Sequence, residues 1–178
     1  MTRDRGFSLV ELIIAIAIFS ILLKIALPSW ANYVADNKLK LTRDSFVSSV
    51  DIARQMALSN DDNVTLCPFS TASSTTCGSS WSSGWIVYEQ TAASGNILLR
   101  TVQAPSNTNI AMTATNSTIT SLTFSPKPPF LNQATDFKLC DNRGASSAMA
   151  ISVQLTGYVQ YGQTQGYAVD GQTPLSCP

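Results

Sequence analysis

The sequence predicts an α+β fold, with one long N-terminal helix packed on an antiparallel, β-rich globular domain. Three observations predict it. Phe7–Leu27 is almost continuously apolar, and an amphipathic helical pattern resumes past Pro28. From residue 64 onward, only short β-type runs between polar turns remain. Strands that follow one long helix, with no second helical pattern, belong to an α+β chain.

The first 21-residue run is long enough to cross a bilayer. At about 1.5 Å per residue it spans ~30 Å, the thickness of the hydrocarbon core. It carries a carboxylate, Glu11, near its start. Inside a lipid-spanning helix that group costs ~2.5–3.5 kcal/mol or more, so it requires a partner or a function. Lys24 is less demanding, because its long stem can snorkel toward the outer interface. Arg3 and Arg5 precede the span and mark the cytoplasmic side, which puts everything after Leu27 in the periplasm or outside the cell. An ordinary secretory signal has an apolar core of only about 7–15 residues and would not carry Glu11. A plain anchor accounts for the length of the run but not for the glutamate.

Past Pro28, Leu39, Phe46, Val50, Ala53 and Ala57 draw one apolar stripe, while Lys38, Lys40, Arg43, Asp44, Asp51 and Arg54 mostly take the other faces. One helix is expected from Phe7 to Ser59. It should bend near Pro28, where a backbone hydrogen bond is lost and the ring meets the preceding turn. Asn60-Asp61-Asp62-Asn63 should end it. Strands are expected at Val64–Pro68, Trp85–Gln90, Ile97–Val102, Ile110–Ala114, Ile119–Phe124, Phe137–Cys140, Ala148–Leu155 and Tyr158–Tyr161. Phe69–Gly84 reads as a Ser/Thr-rich loop, Pro126–Pro129 as a connection, and Thr156-Gly157 as a turn. Trp81, Trp85 and Tyr88 could form a stacking platform, but period-two aromatics on a strand are expected to pack against the helix. Arg143 reads as a turn arginine bonded to backbone or to the C-terminal tail.

The 178 residues allow one membrane-anchored helix and one globular domain. Charged residues make up 12%, about half the usual share, and Ser, Thr, Asn and Gln fill the gap, as suits an extracytoplasmic domain. Cys67, Cys77, Cys140 and Cys177 fit that compartment. Their spacings do not suit zinc, so two disulfides are expected. Of three possible connectivities the expected one is Cys67–Cys77, closing the Ser/Thr-rich loop, with Cys140–Cys177 tying down the tail. Each would contribute ~2–4 kcal/mol. The chain has no histidine, which excludes Ser-His-Asp and Cys-His catalysis. No motif supports a carboxylate pair or a Ser-Lys dyad, so no catalytic residue, metal ligand or cofactor is expected.

The run Gly6-Phe7-Ser8-Leu9-Val10-Glu11-Leu12 resembles the class III signal of type IV pilins and type II secretion pseudopilins. The resemblance implies cleavage after Gly6 by a prepilin peptidase and N-methylation of the new first residue, Phe7. It also implies pairing of Glu11 with the N-terminal amine of a neighbouring subunit, and a helix-bending role for Pro28. Val64-Thr65-Leu66-Cys67, Trp81, Gly84-Trp85-Ile86-Val87-Tyr88, Phe124-Ser125-Pro126, Leu139-Cys140-Asp141-Asn142-Arg143-Gly144 and Gln154-Leu155-Thr156-Gly157 resemble, in that order, the GspH/FimT pilin-like domain. The implied fold is the type IV pilin fold. Its divisions here are a leader over 1–6, a membrane and filament-core segment over 7–27, an amphipathic outer half over 28–60 and a periplasmic domain over 61–178.

That family includes the pseudopilin GspH and the minor pilins FimT and FimU. Its DNA-binding FimT members are associated with a Gly-Arg-x-Arg motif, where this chain has Gly157-Tyr158-Val159-Gln160. From Asn63 onward, Arg100, Lys127, Lys138 and Arg143 are offset by Glu89, Asp136, Asp141 and Asp170. Phosphate binding draws its affinity from clustered cations, so a DNA partner is not expected. The FimU-like reading therefore comes first: a structural subunit of the pilus tip and priming complex. Its implied partners are other minor and major pilins, the prepilin peptidase/methylase and the inner membrane. A FimT-like DNA-uptake pilin and a GspH-like pseudopilin are the alternatives.

Overall fold

The computed structural model describes residues 8–71, 74–91, 95–104 and 109–177. The chain divides into two compact units, one ending at Asn37 and the other beginning at Lys38. Helix α1 covers Leu9–Asn60 and contributes to both. Its assignment is continuous across Pro28, which has no N–H to offer the preceding turn. The helix stops where Asp61 takes φ 57°, a left-handed conformation that a short polar side chain tolerates.

The second unit adds eight strands among the described residues. They are β1 (Asn63–Pro68), β2 (Gly84–Thr91), β3 (Gly95–Gln103), β4 (Ala111–Ala114), β5 (Leu122–Phe124), β6 (Thr135–Cys140), β7 (Met149–Val153) and β8 (Val159–Tyr161). All eight expected runs form strands, with ends moved by one to three residues. The largest trims are at Ile119–Ser121, outside β5, and at Gln154-Leu155, which enter the turn before β8. Two antiparallel four-stranded sheets result, in the orders β3-β2-β1-β5 and β4-β6-β7-β8. The register between β1 and β2 runs from Asn63 opposite Gln90 to Pro68 opposite Trp85, and Val64 also faces Phe124 of β5. In the second sheet Phe137 faces Ile151, which in turn faces Tyr161.

One apolar core draws on the helix and both sheets. The helix gives the expected stripe of Leu39, Phe46, Val50, Ala53 and Ala57, every one fully buried. Strand alternation supplies Val64 and Leu66 from β1, Trp85 and Val87 from β2, and Phe137, Leu139, Ile151 and Val153 from β6 and β7. At the centre, the Phe46 ring meets Phe137, Trp85 and Trp81 edge-on, at centroid distances of 4.8, 5.3 and 5.8 Å. Aromatic quadrupoles favour this edge-to-face geometry over flat stacking. The buried Trp85 indole donates to Ser49 Oγ at 2.9 Å, and that hydroxyl donates to the Ser45 carbonyl at 2.9 Å. Trp81 Nε1 donates to the Ile119 carbonyl at 3.3 Å. Both buried indole N–H groups are thus satisfied.

Tyr88 departs from the sequence expectation. It lies three residues from Trp85, so strand alternation turns it to the opposite face of the sheet. There it packs with Ile86, Cys67, Phe69 and Cys77 in a second, small apolar cluster away from the helix. The Cys67–Cys77 disulfide belongs to that cluster and covers the outer face of the first sheet. Gly84, at the start of β2, has φ 116°, and a Cβ there would sit 2.3 Å from the Val102 carbonyl oxygen. Only glycine fits that junction.

Beyond β8 the tail returns along the second sheet. Gly162 and Gly166 donate to the Ala150 and Ala148 carbonyls at 3.0 and 2.8 Å, and Leu175 donates to Gly166 at 2.8 Å. Asp170 closes a turn, accepting from the Thr173 hydroxyl and from the backbone of Thr173 and Gln172. These bonds hold its carboxyl below the ordinary value for an aspartate. The second disulfide, Cys140–Cys177, joins this tail to the end of β6.

Phe46→Ala should lower the unfolding free energy of the detergent-solubilised chain by about 3–5 kcal/mol, because three aromatic neighbours lose their common partner. Ser49→Ala should cost a smaller ~1–3 kcal/mol by leaving the Trp85 N–H unsatisfied. Urea melts followed by tryptophan emission measure both. Equal effects of the two substitutions would contradict the packing described.

Candidate functional site

The functional candidates fall on the two units separately. On the stem, every large apolar side chain from Leu9 to Leu27 is exposed, from Leu23 at 39% to Leu9 at 74%. The helix is long and apolar enough to cross a membrane. An apolar surface this long, on all faces of a helix, exceeds what a soluble monomer leaves in water and marks a lipid or protein contact. Glu11 stands in the first turn of α1, where the helix dipole favours an acidic side chain. Among the described residues, no basic group pairs with it. Ser20 donates to the Ile16 carbonyl at 2.7 Å, so its hydroxyl is satisfied within the apolar stretch. Gly6 and Phe7, the residues expected at the cleavage point, lie outside the described residues, as do Arg3 and Arg5.

Just past Pro28 comes a feature that the sequence reading did not single out. Trp30 and Tyr33, one turn apart on the stem, are 67% and 61% exposed, with ring centroids 6.0 Å apart. Their i, i+3 spacing immediately after the apolar run was the available signal.

On the domain, Trp81 and Trp85 are 4% and 2% exposed and Tyr88 faces away from them, so the three make no stacking platform. Arg143 binds the side chain of Asp141 within its own turn. Its Nε and Nη2 donate to Asp141 Oδ2 at 2.9 and 2.8 Å, and its backbone N–H donates to Oδ1 at 2.9 Å. The remaining cations are dispersed. Arg100 donates to Ser48 Oγ at 2.9 Å, Lys138 reaches the Ser176 carbonyl at 2.6 Å, and Lys127 is exposed in the proline-rich connection. Near β8, Arg43 lies over the Tyr161 ring, 4.7 Å from its centroid, and pairs with Asp44 at 2.8 Å. Gly157 has φ 74° in the turn before β8, with Tyr158 and Gln160 where cations would be needed to grip phosphate. Among the described residues, no three Cys, Asp or Glu side chains gather in a way that could hold a metal ion.

Residues 42–157 match the family described as Type II transport protein GspH, and residues 1–26 match the prokaryotic N-terminal methylation motif. Two solved structures share the fold, both of the type IV minor pilin FimU of Pseudomonas aeruginosa strain PAO1. The first has a TM-score of 0.59 at 18% identity and covers 80% of this chain and 96% of that one. The second crystal form has a TM-score of 0.56 at 18% identity and covers 79% and 100%. The long helix packed on antiparallel sheets is the type IV pilin fold. No curated protein sequence matches the chain.

The two disulfides close loops of different span, with sequence separations of 10 and 37. If the cross-links act by restricting the unfolded chain, removing Cys140–Cys177 as a Ser pair should cost ~1 kcal/mol more than removing Cys67–Cys77. Denaturant melts of the two double-serine variants test this. The reverse order would mean that packing around Cys67, Ile86 and Tyr88 outweighs loop closure.

Proposed function

We propose, from the premise that this chain belongs to the GspH family and carries the prokaryotic N-terminal methylation motif, that it is a minor type IV pilin. In this reading it is a structural subunit of the pilus tip and priming complex, joining other minor pilins to the major-pilin shaft in twitching and adhesion. The observation that carries the reading is the exposed apolar stem with Glu11 near its start, on a chain that shares its fold with FimU. Before assembly the chain rests in the inner membrane as a single span, N-terminus inside and domain in the periplasm. A prepilin peptidase cuts between Gly6 and Phe7, the Phe7 amine is methylated, and Glu11 becomes the fifth residue of the mature chain. These enzymes act on the chain. Its family and fold are those of structural pilins, and its own role is to be assembled.

Assembly draws on burial of one stem against another. Apolar contact is worth roughly 25 cal/mol per Å² against water. A stem leaving lipid gains less, because lipid tails are already apolar, so close packing and specific polar contacts must direct it. Glu11 supplies such a contact with the new amine of a neighbouring Phe7. Desolvation offsets much of that attraction, so its main effect is on register: an incoming stem stops at the depth where the two charges meet. Pro28 bends the helix between its membrane and domain halves.

A GspH-like pseudopilin of type II secretion is the second reading, favoured by the match over residues 42–157. The DNA-uptake reading lacks the cations it requires at Tyr158 and Gln160.

Sheared pili should contain the chain beginning at N-methylated Phe7, and Gly6→Val should leave the leader in place. Glu11→Gln keeps size and polarity but removes the charge. It should reduce recovery in sheared pili about tenfold, equivalent to ~1.4 kcal/mol, without altering cleavage or domain melting. Normal recovery of the Gln variant would show that charge pairing is not what the glutamate supplies. Mobility shifts at physiological salt should show no DNA complex at micromolar protein. Tight, salt-sensitive binding would instead favour DNA uptake and direct attention to Arg100, Lys127 and Lys138.

A further inference from the structure

We propose that Trp30 and Tyr33 form an interfacial anchor, which docks the stem to the outer headgroup layer of a phospholipid bilayer and fixes its depth there. The proposal rests on the membrane-storage reading above and adds the residues that set the position of the span.

Position along the helix is the first argument. Trp30 lies three residues past Leu27, the end of the apolar run. From Glu11 to Trp30 the rise is roughly 28 Å at 1.5 Å per residue. That is close to the ~30 Å of a hydrocarbon core. A stem with Glu11 at the inner edge of the core therefore brings Trp30 to the outer edge. Leu23 and Leu27, seven and three residues before Trp30, extend the same face into the core, and both are exposed. Beyond the aromatic pair the composition changes to Asp36, Asn37 and Lys38.

Side-chain chemistry is the second argument. Indole and phenol each combine an apolar ring with one polar tip, so both favour the boundary between acyl chains and water. Among the described residues neither the Trp30 N–H nor the Tyr33 hydroxyl has a hydrogen-bond partner, which leaves both for lipid carbonyls and phosphates. The rings project from neighbouring turns, 6.0 Å apart and tilted 38° to each other, so they present one continuous aromatic surface. Lys24, deeper on the stem, can extend its ammonium toward the same headgroup layer. A band of this kind resists movement in both directions: sinking buries the polar tips, and rising exposes the rings.

The protein contains three tryptophans, and the other two, Trp81 and Trp85, are buried in the domain core. Quenchable emission therefore reports Trp30. The full chain is reconstituted into phosphatidylethanolamine/phosphatidylglycerol vesicles, and association is scored by flotation. Trp30 emission, isolated by subtracting a Trp30→Phe variant, is measured with lipids carrying a quencher near the headgroup or at the acyl terminus, and with aqueous iodide. The expected result is greatest loss of emission with the shallow label. Tyr33→Leu should move the greatest loss toward the deep label, because the second polar tip is gone. A chain that floats with the vesicles while Trp30 is quenched by iodide and by neither lipid overturns the anchor but leaves the membrane reading intact. Greatest quenching by the acyl-terminal label also overturns the anchor. A chain that stays in the aqueous phase overturns both.

Discussion

Burial of one face of α1, from Leu39 to Ala57, is the contact on which the domain depends. Each of the two four-stranded sheets has an apolar face that must be covered. The helix gives both sheets a common apolar surface, and Phe46 is where they converge. Its ring touches Trp85 from the first sheet, Phe137 from the second, and Trp81 from the turn leading into β2. Small residues at Ser49, Ala53 and Ala57 leave room for the strands to approach. Ser49 also accepts the buried indole proton, so the closest approach leaves no orphaned donor at that point.

The same helix meets different surroundings along its length. In its domain half, one face is apolar and the others are charged, the usual solution for a helix with one covered side. In the stem half, apolar side chains cover every face, which suits only lipid or other stems. A single carboxylate at Glu11 interrupts that surface. Cross-links play a complementary part in the domain. The apolar cluster under Cys67–Cys77 is small, and the tail after β8 is held largely by backbone bonds and by Cys140–Cys177.

Much of the architecture is local and so could be read from residue order. The apolar run predicts the stem, the 3.6-residue stripe predicts the buried helix face, and short β-branched and aromatic runs predict all eight strands. Glu11 stands out because it is the one carboxylate in the apolar run Phe7–Leu27. Tyr88 was also legible: its odd spacing from Trp85 assigns it to the opposite face, and treating the aromatics as one set hid that parity. Trp30 and Tyr33 carried a signal too, the change from aliphatic to aromatic side chains at the end of the apolar run.

What the sequence by itself determined is therefore periodic or compositional: the helix and its buried face, the strands, and a family-specific N-terminus. What only the tertiary structure decided is pairwise and distant. Alternation says which face of a strand is apolar, but it does not say which strand lies beside it. β5 therefore joins β1 in the first sheet, while β4 and β6, on either side of it in sequence, pair in the second. Ser49 as partner to Trp85 and the placement of the tail against Ala148 and Ala150 likewise depend on the assembled fold. A hydrogen bond needs two groups within about 3 Å, and only the packed sheets and helix bring the distant pairs that close.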